Sequence, residues 1–124
     1  MSSYFLDSDV IIDYLNNIEK SATFIDKIIL ESEVVCVSVI TVAEVYSIPL
    51  NKTEKEKIER IFEKITIIVD DYNIAVLAGS YRQRTRRGLA DCMIAASVKL
   101  KNSILVTRNK KDFGVLSIKI ISPF

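Results

Sequence analysis

Short apolar runs of strand length alternate with longer stretches of helical periodicity along the chain, and few folds accommodate that order. Residues 4–6 are a brief apolar run that stops at Asp7. Val10, Ile11, Tyr14, Leu15 and Ile18 then recur at the spacing of one helix face. Phe24, Ile25, Ile28 and Ile29 make a second helical stripe, for which Ser21 is the expected N-cap. Residues 34–37 are a β-branched run, and 41–50 read as helical until Pro49 disturbs the end. Thr53-Glu54-Lys55-Glu56 has the form of a capping box ahead of Ile58, Ile61, Phe62 and Ile65. A strand over 66–69 ends at Asp70 and Asp71, the expected caps of a helix carrying Ile74, Leu77, Ala78 and Tyr81. Residues 89–100 are apolar on nearly every side, which predicts a well-buried helix. Runs at 104–106 and 118–121 supply the last strands. This order predicts one α/β domain over residues 1–124, with helices on both faces of a central, twisted, mainly parallel sheet of about five strands. No repeat, low-complexity tract or linker divides it.

Composition narrows the chemistry. Histidine is absent, which removes Ser-His-Asp and Cys-His catalysis and His-ligated zinc. Cys36 and Cys92 are too few for a Cys₄ zinc site, read as small buried hydrophobes, and suit a reducing compartment. Gly79, Gly88 and Gly114 form no phosphate-binding loop. Lys and Arg number 17 against 16 Asp and Glu, so bulk charge is not the means of holding nucleic acid, although a local basic patch would be. No apolar run approaches the roughly 18 residues of a membrane span, and the first residues lack a secretion signal. The expectation is a cytoplasmic protein with no membrane contact, whose chemistry rests on carboxylates, hydroxyls, Lys and Arg.

In an open parallel sheet, ligands bind beyond the carboxyl ends of the strands. Asp7 directly follows the first strand, and Asp112 lies six residues beyond Val106 in what reads as a loop. Asp91 is the only charge between Gly88 and Val98, and Glu44 sits inside the otherwise apolar stretch 39–48, where a lone carboxylate is costly to bury. Each has a plainer reading: Asp7 as an N-cap, Asp91 as a partner of a helix dipole, Glu44 on an exposed stripe, Asp112 as a loop acid. Asp13, one turn past Asp9, reads as a structural acid on a helix surface, like most such residues.

Four segments carry a resemblance: Phe-Leu-Asp-Ser-Asp-Val-Ile-Ile-Asp at 5–13, Ser-Val-Ile-Thr-Val-Ala-Glu-Val at 38–45, Ala-Asp-Cys-Met-Ile-Ala-Ala-Ser at 90–97 and Leu-Val-Thr-Arg-Asn-Lys-Lys-Asp-Phe at 105–113. In this order the chain resembles the PIN-domain nucleases, and among them the VapC-type toxins of toxin–antitoxin pairs. The resemblance implies a divalent-metal-dependent endoribonuclease with Asp7, Glu44, Asp91 and Asp112 as metal-binding and catalytic acids. It implies Thr107 and Asn109 as polar support, with Ser38 and Asp9 beside them; Asn109 competes with Asp112 for the fourth position. Asp9 stands where the family often has Asn, which adds a charge. The implied partners are RNA, a cognate antitoxin and a second copy of the chain.

The residue types agree with that chemistry. Oxygen-only ligands suit Mg²⁺ or Mn²⁺, which activate a water and neutralise phosphate charge without histidine. Arg82, Arg84, Arg86 and Arg87 fall within six residues and read either as RNA phosphate contacts or as a solvated helix end. Arg108, Lys110 and Lys111 flank Asp112 and extend the same basic character.

Two other readings stay open on sequence alone. A phospho-acceptor receiver domain would use Asp7 and Asp9 with Asp70, Thr107 and Lys119. A haloacid-dehalogenase-like phosphatase would use Asp7-Ser8-Asp9. A nuclease requires Glu44 and Asp91 to converge on Asp7, whereas a receiver requires Asp70 there. Asp91→Asn is expected to abolish cleavage while leaving the metal-free protein at least as stable as the parent, since it removes one of several clustered like charges. Thermal melts with and without Mg²⁺, run beside an RNA cleavage assay, check this; a variant melting well below the metal-free parent would make Asp91 a structural cap.

Overall fold

The direction of chain travel across the sheet decides where everything else lies. In the computed structural model, which describes residues 3–31 and 33–123 and all their side chains except 112 and 115, five strands are present. They are β1 (Ser3–Leu6), β2 (Val34–Ser38), β3 (Thr66–Ile68), β4 (Ile104–Val106) and β5 (Lys119–Ile121). All pair in parallel, in the order β3-β2-β1-β4-β5. Phe5 lies opposite Cys36 on one side and Leu105 on the other, which fixes the central register.

From β1 the chain steps outward through α1 (Ser8–Leu15) and α2 (Glu19–Leu30) to β2. It continues through α3 (Val39–Tyr46) and α4 (Lys52–Glu63) to the edge strand β3. It then returns through α5 (Tyr72–Thr85) and α6 (Leu89–Leu100) to β4, on the far side of β1. Parallel crossovers are right-handed, so reversing the direction of travel moves the helices to the opposite face. The core divides accordingly. Leu6, Val35, Val37 and Val106 pack with Val10, Ile11, Ile25, Val45 and Ile58 on the face of α1 to α4. Phe5, Cys36 and Leu105 pack with Ile74, Ala78, Tyr81, Ile94 and Ala95 on the face of α5 and α6. Neighbouring strand residues serve opposite layers, as the two-residue period of a strand demands. Between β1 and β4 the connections diverge, leaving a crevice at the carboxyl ends of these two strands.

Several local details differ from expectation. Helix α2 begins at Glu19 with Ile18 as N-cap, because Asn17 adopts a left-handed φ of 58° and turns the chain early. Ser21 is therefore buried inside the helix and is not its cap. The capping box is Asn51 with Glu54, two residues ahead of the Thr53 register: Glu54 N donates to Asn51 Oδ1 at 2.8 Å and Asn51 N to Glu54 Oε1 at 3.0 Å. Both registers offer a capping side chain and a Glu three residues on, and the earlier one places the stronger capping residue at the end of a longer helix. Asp112 belongs to a one-turn helix, α7 (Lys110–Phe113), and not to a loop. Among the described residues no helix is long and apolar enough to cross a membrane.

Asn51→Ala should lower stability by about 1 kcal/mol in urea denaturation, while Thr53→Ala should change it by less than about half of that. Equal losses at both positions would place the box in the Thr53 register.

Candidate active site

Asp7 is the first residue beyond β1, and its backbone N–H still bonds to Val106 O of β4 at 3.0 Å, so the two strands hold it at the crevice. Its side chain caps α1, accepting from Ser8 N at 2.8 Å. The capping role and the site role thus fall on the same carboxylate. Asp9 follows in the first turn of α1. Across the crevice Thr107, fully buried at the end of β4, directs its hydroxyl to Asp7 Oδ2 at 2.8 Å and Asp9 Oδ2 at 3.2 Å. Asp9 Oδ2 also accepts the backbone N–H of Arg108 at 3.1 Å. Thr107 Oγ1 in turn accepts the backbone N–H of Asn109 at 3.0 Å. Asn109 takes part through its backbone, and its side chain is exposed.

Glu44 comes from α3, whose start is set by the buried Ser38 hydroxyl accepting Ile40 N at 3.1 Å. Ser38 acts on the site through this cap, one and a half turns before Glu44. Asp91 comes from the first turn of α6. The electrostatics tie the four acids together. Burial, then the Asp9 charge, push Asp7 up to about 7 against the opposing bonds from Thr107 and Ser8, with Glu44 adding to the rise. Burial raises Glu44 too, followed by the Asp91 charge; the Ser8 hydroxyl bond opposes this and Asp9 reinforces it. Asp9 is raised by burial, against the Arg108 and Thr107 hydrogen bonds and the Arg108 charge. Glu44 and Asp91 therefore converge on the Asp7 end of the sheet. Asp70 does not: it accepts from Ser97 at 3.4 Å and feels Asp71, at the end of a strand two places away from β1. That arrangement removes the receiver reading.

Two oxygens in the cluster, Asp9 Oδ1 and Glu44 Oε1, are buried without a hydrogen-bond partner. Leaving a carboxylate oxygen in that state costs free energy that a cation would recover. Among the described residues no three acidic side chains are close enough to grip one ion together. The acids are near enough to repel, with a donor set made only of oxygen, and that set fits a hard divalent ion. The side chain of Asp112 lies outside the described residues.

The arginines divide. Arg86 ends α5 in a left-handed conformation and donates its N–H to Arg82 O at 2.9 Å, while Arg82 Nη1 reaches Arg87 O at 2.8 Å. These are helix-end contacts, so Arg82 and the backbones of Arg86 and Arg87 have capping work of the plainer kind. Arg84 lies over the Tyr81 ring at 5.2 Å and is exposed. The charges of Arg82, Arg87 and Asp91 all act on the Cys92 thiol, which places the cluster beside the start of α6.

Three residues outside the expected set matter. Ser8 supports Glu44, which its position between Asp7 and Asp9 would have signalled. Thr41, on α3, is fully buried with an unpartnered hydroxyl. Asp13 is buried and not on a helix surface, because α2 and the segment after β4 close over it: Ser21 Oγ lies 3.4 Å and Arg108 Nε 3.3 Å from its Oδ2.

A family profile described as the PIN domain matches residues 4–117. The chain belongs to the PIN-domain family. That family consists of nucleases, so this PIN domain is a hydrolase of nucleic acid by kinship. Solved structures share its fold. A toxin–antitoxin complex from Klebsiella pneumoniae aligns with TM-score 0.82 at 24% identity over 98% of each chain. VapBC2 from Rickettsia felis, bound to a DNA fragment from their promoter, aligns with TM-score 0.82 at 18% identity over 96% of this chain and 97% of that one. FitAcB from Neisseria gonorrhoeae aligns with TM-score 0.78 at 26% identity over 97% of both. No curated protein matches the sequence.

The pKa of Asp7 sets a sign for stability against pH. With a folded value near 7 and an ordinary value of 3.8, the folded state retains a proton that the unfolded chain has released. Its contribution is complete below about pH 4 and lost as pH rises toward 7. In EDTA, Asp7→Asn should therefore be more stable than the parent by about 1–3 kcal/mol at pH 8, with the gain absent at pH 4. Urea denaturation at the two pH values reads this, and a variant weaker than the parent at both would mean that the Asp7 cap outweighs the repulsion.

Proposed function

We propose that this PIN domain is the toxin of a VapBC-type toxin–antitoxin pair, an endoribonuclease dependent on Mg²⁺ or Mn²⁺. The observation that carries the reading is the pair of buried, unpartnered oxygens on Asp9 and Glu44 beside Asp7. An acidic cluster of this kind is destabilising in an isolated fold and becomes favourable when cations are bound. The likeness to toxin–antitoxin complexes supports the toxin assignment and, with it, a cognate antitoxin; a homodimer and a cytoplasmic setting belong to the same reading.

In this reading Asp7, Glu44 and Asp91 are the acids that would draw together around a metal, and Asp112 would complete the set from α7, with Asn109 as the alternative. When bound, the metal lowers the pKa of a water and stabilises charge on the phosphate oxygens. The chain's own residues do the rest. Thr107 keeps Asp7 and Asp9 at fixed spacing through their Oδ2 atoms, which leaves Asp9 Oδ1 without a protein partner. Asp9 adds a negative charge that strengthens cation affinity. Ser8 holds Glu44. Arg84 and Arg86, with Arg82, Arg87 and Arg108, contact RNA phosphates at the mouth and raise the local concentration of substrate.

The purified protein should hydrolyse single-stranded RNA with Mg²⁺ or Mn²⁺ and stop in excess EDTA. Glu44→Gln should lower kcat by at least about 100-fold with the fold intact, as loss of an interaction made at the reacting phosphate does. Cleavage that persists in EDTA, or that appears only with Zn²⁺, would sink the hard-cation mechanism.

A further inference from the structure

Asp13 is a buried acid that the carboxylate cluster does not use. It lies on α1 one turn beyond Asp9, with 7% of its side chain exposed. A buried carboxylate needs positive or hydrogen-bonding partners, and Asp13 has both. Ser21, fully buried on α2, approaches Oδ2 at 3.4 Å, and Arg108 Nε approaches the same oxygen at 3.3 Å. Arg108 is held a second time through its backbone N–H on Asp9. Half of its side chain is exposed nevertheless. Arg108, Asn109, Lys110 and Lys111 line a groove of about 380 Å³ that begins where the segment leaves Thr107.

We propose that Asp13 is a positioning residue that holds the Arg108 guanidinium at the head of this groove, where it binds a backbone phosphate of a single-stranded nucleic acid entering the acidic crevice. The inference rests on the nuclease reading and adds to it a phosphate subsite with its own anchor. Three physical points support it. Arginine presents a rigid fork, so an anchor on Nε orients the whole plane, which lysine could not reproduce. Three cationic side chains, Arg108, Lys110 and Lys111, line one groove and make a track suited to a phosphodiester backbone. An exposed cation left untethered beside Asp9, whose carboxylate the Arg108 charge already acts on, would be drawn onto the acidic cluster, and the tie to Asp13 opposes that collapse. Asp13 touches neither the strand nor the reacting phosphate, and it acts through Arg108 alone.

The test uses the whole chain and a short, unstructured oligoribonucleotide of mixed sequence, bound in EDTA across a salt series and cleaved in Mg²⁺. Arg108→Gln should lower the slope of log Kd against log salt by about 0.7, the loss of one single-strand phosphate contact. Asp13→Asn keeps the shape and an acceptor for Ser21. It should lower the slope by a similar amount and raise KM about three- to tenfold, with kcat within about twofold. The double variant should be no worse than Arg108→Gln, since the two changes break one unit. If Asp13→Asn melts too low to study, Ser21→Ala loosens the same anchor and should shift KM in the same direction. A lower melting temperature with unchanged slope and KM would make Asp13 a purely structural acid and overturn the proposal, as would additive effects in the double variant. A parent that neither binds nor cleaves RNA overturns the nuclease reading and this inference with it. A parent that does both, with unaltered slopes in the variants, overturns the inference alone.

Discussion

The Thr107 hydroxyl sits between two carboxylates at the one place where the sheet's connections diverge, and the site depends on that contact. Asp7 directly follows β1 and Asp9 lies in the first turn of α1, whereas Thr107 directly follows β4 a hundred residues later. Without the hydroxyl, each carboxylate would keep its own backbone bond, Asp7 to Ser8 and Asp9 to Arg108, but nothing would join the two like charges. With it, they share one donor and take up a fixed spacing. The segment after β4 is fixed by the same contact, because Thr107 Oγ1 accepts from Asn109 and Asp9 accepts from Arg108. The Arg108 segment and the Asp7–Asp9 pair are thus placed by one small buried side chain.

Helix starts supply the second layer of organisation. Helices α1, α3 and α6 all begin on the carboxyl side of the molecule, and the ends of their dipoles that favour negative charge are gathered there. Asp7 exploits this directly as the N-cap of α1, and Asp91 as a residue in the first turn of α6. Glu44 is farther from its helix start and is supported by the Ser8 hydroxyl against burial and the Asp91 charge, and one of its oxygens is left unpartnered. The fold tolerates such an acidic cluster because two apolar layers on either side of the sheet supply stability independently of it. Function at this site is therefore supported by the core and not built from it.

The positive side chains are committed unequally. Around the end of α5 much of the arginine density serves the helix terminus, where cations offset carbonyls and close a left-handed cap. Arg108 is different in kind, because its partner Asp13 is buried and comes from a different part of the chain. A count of charges along the sequence favours the first group, while the tertiary contacts favour the second.

Much of the architecture was legible from residue order. Alternation of β-branched runs and helical stripes specified the parallel sheet, since only right-handed crossovers can join such elements, and residues 89–100 and 104–106 announced their helix and strand by composition. Asp7, Glu44 and Asp91 could be singled out because a charge isolated within apolar sequence is locally improbable. The family motifs ordered them. What sequence could not decide were matters of competition and of distance. Asn51 and Thr53 offer equivalent capping patterns, and only the path of the chain after Pro49 selects between them. Asp13 looks like any helix-surface acid, because its burial is produced by α2 and by the segment after β4, neither of which its neighbours reveal. The sequence by itself determined which residues are acids in apolar settings and which segments are strands or helices, since these follow from local periodicity. The tertiary structure alone decided which of those acids share a crevice and that Asp13 pairs with Arg108, because such pairings depend on where the chain reverses its direction across the sheet.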